Sequence, residues 1–124
     1  MDATAATLHD STDCRSVSRV LSRVGEKWTI LIVMLLRDGP RRFNEIKRMV
    51  GGISQQMLTR TLKSLERDGM VTRTVRPTVP PQVEYALTDL GRSLGEPVQA
   101  LGLWARAHMG LIESAQARYD QQAS

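Results

Sequence analysis

GGISQQMLTRTLKSLERDG, residues 51–69, opens on two glycines and a serine and then keeps helical spacing up to the next glycine. Ser54 suits an N-cap and Gly69 a stop, which predicts a helix between them. At about 100° per residue, Met57, Leu58, Thr61, Leu62 and Leu65 gather in one sector about 140° wide. Gln55, Gln56, Thr59, Arg60, Lys63 and Arg67 gather in another, and the two sets do not overlap. One face is therefore expected to be core. The other carries amides and a hydroxyl, which both donate and accept hydrogen bonds, beside several cations. Every surface helix has a polar side, so this stripe alone leaves two readings open, plain solvation or contact with a ligand.

Upstream, Val17, Val20, Leu21 and Val24 fall at i, i+3, i+4 and i+7, with Arg15, Arg19 and Arg23 on the other side, and Gly25 stops a first helix. Glu26 to Arg37 is apolar nearly all round Trp28, which predicts a buried central helix ended by the DGP of residues 38–40. Arg41 and Arg42 form a short basic link, and Phe43, Ile46 and Val50 mark a brief third helix. Downstream, MVTRTVR (70–76) and QVEYALT (82–88) read as two strands around a proline-stiffened tip, PTVPP (77–81). Thr88 suits the cap of a last helix reaching about Arg118, bent at Pro97. Its apolar residues, among them Leu94, Val98, Leu101, Trp104, Met109 and Ile112, exceed what one surface helix needs. The expected organisation is a loose tail over 1–12, a single domain over 13–118 and a tail over 119–124.

A chain of 124 residues, 41% hydrophobic and 24% charged, suits one globular domain. The net charge of +4 is unevenly placed: Arg41 to Arg76 holds nine Lys or Arg and three acids, a local excess of six. The start, MDATAATLHDSTD, is acidic where a signal peptide is basic, and the longest apolar run, Ile30 to Leu36, is far short of the roughly 20 residues of a membrane span. A cytoplasmic protein away from membranes is expected. Cys14 is the only cysteine, which excludes a disulfide within the chain. His9 and His108 form no metal pattern with it. No nucleophile triad, phosphate loop or catalytic carboxylate pair stands out, so neither an enzyme nor a cofactor is expected.

Helix, helix, link, helix, glycine turn, helix and hairpin is the order of a winged helix-turn-helix, a mainly α (α+β) fold with a small β-hairpin wing. A helix fits the major groove of B-DNA and presents its first turns to the base edges. Glutamine pairs bidentately with adenine, arginine with guanine, and Thr59 offers a hydroxyl or a methyl. The expected DNA-binding set is Ser54, Gln55, Gln56, Thr59, Arg60 and Lys63, flanked by Arg41, Arg42, Arg73 and Arg76, with Lys47 and Arg48 adding phosphate-neutralising charge. Double-stranded DNA is the expected partner. A winged helix used only to bind another protein is the alternative.

KWT (27–29), RRFNEI (41–46), ISQQMLT (53–59), LERDGMVTR (65–73) and PPQVEYALT (80–88), in this order, resemble the HxlR family of bacterial winged-helix regulators. The resemblance runs from Cys14 to about Trp104. It implies a homodimer joined through the first and last helices, with Val17, Leu21, Leu101 and Trp104 at the interface, that represses from palindromic operators. The chain departs from many relatives at Arg76, where they carry tyrosine, and at Gln82, where they carry a basic residue. Cys14 stands where many members carry a cysteine, some of which respond to oxidants or electrophiles. Arg15 and a helix start suit thiolate chemistry, whereas Asp10 and Asp13 oppose it. A regulatory thiol and an inert one both remain open.

Overall fold

A computed structural model of the protein describes residues 11–123. The elements are α1 (Ser11–Val24), α2 (Lys27–Leu36), β1 (Arg41–Arg42), α3 (Phe43–Val50), α4 (Gln55–Arg67), β2 (Val71–Arg76), β3 (Gln82–Leu87) and α5 (Asp89–Ala123). The tail expected over 1–12 lies outside the described residues as far as residue 10, and α1 begins at Ser11. Cys14 therefore sits inside the first turn of α1. Nothing between Ser11 and Cys14 breaks a helix, and serine, threonine and aspartate suit its first positions.

The core forms where α2, α3, α4 and the sheet meet. Ile32, Val33, Ile46, Leu58, Leu62, Leu65, Val71 and Leu87 are all buried there, each contributing roughly 1.5–3 kcal/mol by leaving water. The buried central helix expected from an almost wholly apolar sequence is buried on one side only. Thr29, Ile32, Val33 and Leu36 point inward, but Leu31 is exposed and Met34 and Leu35 are half-buried. A small domain cannot wrap a helix on every side. These three residues border Met49 and Val50 in an uncovered apolar patch.

The sheet has three strands in the order β1-β3-β2, all antiparallel. The link expected at Arg41 and Arg42 is thus a strand, paired Arg41 with Tyr85 and Arg42 with Glu84. On the other side of β3, Arg73 pairs with Tyr85 and Thr74 with Glu84. Paired residues share a face, so Arg41, Tyr85 and Arg73 form one row across the sheet.

Thr88 caps α5 by accepting from the Gly91 backbone N–H at 3.1 Å. Its hydroxyl also donates to the Gly69 carbonyl at 2.6 Å, which ties the start of α5 to the end of α4. Gly91 lies so close to the Met70 carbonyl that a Cβ has no room. Arg37, just past α2, donates to Gln99 Oε1 at 2.8 Å and lies along Gly95. α5 continues through Pro97 to Ala123, so residues 119–123 are helical rather than a separate tail. Gln121, Gln122 and Ala123 are good helix formers, and residues 119–123 hold no glycine or proline. From Gln99 to Ala123 every side chain except His108 is exposed.

Candidate nucleic-acid interface

α4 is held from both ends. Gly51 and Gly52 turn the chain at φ 71° and 75°, a region that favours glycine. Ile53 is buried as an anchor, and the Ser54 hydroxyl accepts from the Met57 N–H at 3.0 Å. At the other end Gly69 donates to the Glu66 carbonyl at 3.0 Å and Met70 to Leu65 at 2.9 Å, the paired bonds of a Schellman cap. Inside the helix the buried Thr61 hydroxyl donates to the Met57 carbonyl at 2.8 Å, so it is satisfied. With Leu58, Thr61, Leu62 and Leu65 facing the core, Gln55, Gln56, Arg60 and Lys63 are exposed and Thr59 is half-buried. These five line one shallow outer surface.

A cleft of about 750 Å³ separates α4 from α3 and the sheet, lined by Arg42, Arg48, Gln55, Thr59 and Arg73 among others. Glu45 is the one acid in its lining, and its carboxylate is engaged, accepting the Arg42 backbone N–H at 3.0 Å. Cationic groups thus stand on two sides of the outward face of α4. Of the expected set, the cleft brings together Arg42, Gln55, Thr59 and Arg73, while Gln56, Arg60 and Lys63 continue along the outer face. Arg41 is half-buried and not among the residues that line the cleft, and its Nε is buried and unpartnered. Ser54 is spent on capping.

Arg76 stands apart. It lies three residues from Arg73, hence on the opposite face of β2, and its Nη2 binds Glu84 Oε1 at 2.9 Å. Sequence reading named Arg48 only as general charge and missed Asn44, Pro80 and Pro81, which also line the cleft. Asn44 carries no periodic signal, and only the pairing of β1 with β3 brings the tip residues near it.

The four residues expected at a dimer contact are uncovered to different degrees. Val17 is half-buried; Leu21, Leu101 and Trp104 are exposed. The Trp104 ring stacks on His108, centroids 4.7 Å apart. Cys14 is exposed. Among the described residues no three His, Cys, Asp or Glu converge as metal ligands, and no helix is long and apolar enough to cross a membrane.

The sequence model of the HxlR-like helix-turn-helix family matches residues 23–113. The chain is 43% identical over 90 residues to the HTH-type transcriptional regulator YtfH of Escherichia coli, covering 73% of this chain and 71% of that protein. Among solved structures it is similar to the redox regulator HypR in its reduced form, with TM-score 0.74, 40% identity and coverage of 80% and 98%. It is also similar to the reduced form of the transcriptional regulator YodB from Bacillus subtilis, with TM-score 0.65, 40% identity and coverage of 73% and 88%.

Proposed function

This chain belongs to the HxlR-like helix-turn-helix family, and from that premise we propose how it acts as a DNA-binding transcriptional regulator. α4 enters the major groove, where Gln55, Gln56, Thr59 and Arg60 meet base edges, while Arg42, Arg48, Lys63 and Arg73 neutralise phosphates. The observation that carries this reading is the outer face of α4, whose amide, hydroxyl and cationic side chains stand free while its other face is sealed in the core. Two copies joined through α1 and α5 present two such helices to a palindromic operator and repress the adjoining gene from the cytoplasm.

Cys14 supports a redox input. It is exposed on α1, an element of the proposed contact between copies, and two of the similar structures are described as a redox regulator and as the reduced form of a regulator. An oxidant such as diamide takes two electrons and two protons from a pair of Cys14 thiols on different copies, forming one disulfide.

Affinity for duplex DNA measured against salt tests the main reading. A binder neutralising several phosphates loses affinity steeply, with a log–log slope of about −0.9 per phosphate. A flat response would instead favour a domain that binds only other proteins. For the thiol, Cys14→Ser should abolish release from DNA by diamide, and unchanged release ends that part of the proposal.

A further inference from the structure

A second concavity, about 420 Å³, shares no lining residue with the cleft beside the wing. α1 forms one wall with Arg19, Val20, Arg23 and Val24, and Met70 and Leu90 form the wall opposite. Arg67 and Asp68, at the C-terminal end of α4, close it between them. Its volume falls in the range of roughly 300–1,000 Å³ typical of small-molecule sites. Val20 and Leu90 are each more than half exposed, so the apolar walls are uncovered in the single chain.

Three guanidinium groups face a single carboxylate. Arg23 Nη1 is bound to Asp68 Oδ2 at 3.0 Å, each side chain about a third exposed. Arg19 and Arg67 make no ion pair among the described residues. Two unspent cations over apolar walls select an anion with an apolar body, because the carboxylate then gains charge-assisted hydrogen bonds and the body leaves water. The Met70 thioether and the flat guanidinium groups favour an aromatic body over an aliphatic one.

We propose that this concavity binds a small aromatic carboxylate, held by Arg19 and Arg67, and that its occupancy is felt by α4. The inner wall is fixed to α4 and α5, since Thr88 donates its hydroxyl to Gly69 and its N–H to the Met70 carbonyl, at 2.6 and 3.0 Å. α1 reaches α4 through the half-buried Arg23–Asp68 pair and packs on α2. A carboxylate spanning Arg19 and Arg67 adds a second tie between α1 and the DNA-reading helix. Effector and DNA then alter each other's affinity by the same factor. This coupling rests on the function proposed for α4; the binding site does not.

Calorimetric titration of the full chain with naphthalene-2-carboxylate tests the site without DNA. Saturable binding is expected, weakened at least about tenfold for the neutral naphthalene-2-carboxamide and for either Arg19→Gln or Arg67→Gln. Arg106→Gln, an equal charge change on the far part of α5, should leave it unchanged. No saturable binding, equal binding of the amide, or loss in Arg19→Gln and Arg67→Gln no greater than in Arg106→Gln overturns the site. A companion measurement of duplex affinity should shift on adding the carboxylate to the natural chain and not to Arg19→Gln. Binding without that shift overturns the coupling. A chain that binds no DNA at all, with the calorimetry intact, counts against the function of α4 and leaves the site standing.

Discussion

Leu62 and Leu111 are the same residue on helices of the same chain, yet the first is 1% exposed and the second 70%. Leu62 belongs to the winged domain, where α2, α3, α4 and the sheet close on one another. Leu111 belongs to the outer half of α5, where every side chain from Gln99 to Ala123 except His108 is exposed. A helix with leucine, tryptophan, methionine and isoleucine left in water is stabilised only when something covers them. The domain is complete in one copy, whereas the arms would be half of the proposed interface.

The largest effect sharpens that contrast directly. Leu62→Ala should lower the unfolding free energy by about 2–5 kcal/mol, and Leu111→Ala in dilute protein by less than about 0.5 kcal/mol. Equal losses in chemical denaturation would break the comparison. Next, Trp104→Ala should weaken self-association by about 2 kcal/mol, about 30-fold, as loss of a central aromatic anchor does. Sedimentation at a series of concentrations reads this, and an unchanged dissociation constant would remove α5 from the interface.

A similar division applies within the proposed DNA-facing side. Arg60→Ala should cost about 1–3 kcal/mol of discrimination at one or two base pairs. Selection of binding sites from a random pool checks it, and a sequence preference identical to that of the natural chain would take Arg60 away from the bases. Arg42→Ala should weaken all sequences alike and reduce the salt slope by about one. Arg76→Ala is expected to have the smallest effect, because Glu84 already holds that guanidinium. A full unit of slope lost from Arg76→Ala would show that the pair opens on DNA.

How much of this was legible in the sequence depends on the distance between partners. Both faces of α4 could be read, and so could its Ser54 cap and Gly69 stop, because a helix is built from contacts three and four residues apart. The hairpin strands were legible through alternation and the prolines at their tip. β1 was not, since two arginines carry no period and their partners, Tyr85 and Glu84, lie more than forty residues away. The extent of α2's burial was misjudged for a related reason: an apolar run states what a helix could bury, not how many neighbours exist to bury it.

Among the candidate DNA contacts, Arg73 and Arg76 read as equivalent members of one basic strand. The fold separates them, Arg73 into the cleft beside Gln55 and Thr59, Arg76 onto Glu84. A strand places residues three apart on opposite faces; which face met α4 depended on how the sheet docks. Likewise the Arg23–Asp68 pair joins α1 to the end of α4 across forty-five positions, beyond the reach of any local pattern.

Residue order alone determined which segments coil, the stops at Gly25 and Gly69 and which side of α4 is oily, because those are properties of neighbours along the chain. Folding in three dimensions decided which arginines remain free, that the basic link is a strand, and that Val20 and Leu21 of α1 and the apolar residues in the outer half of α5 are exposed. Ion pairing, strand pairing and burial are settled between groups distant in sequence, and only the packed chain brings such groups within reach.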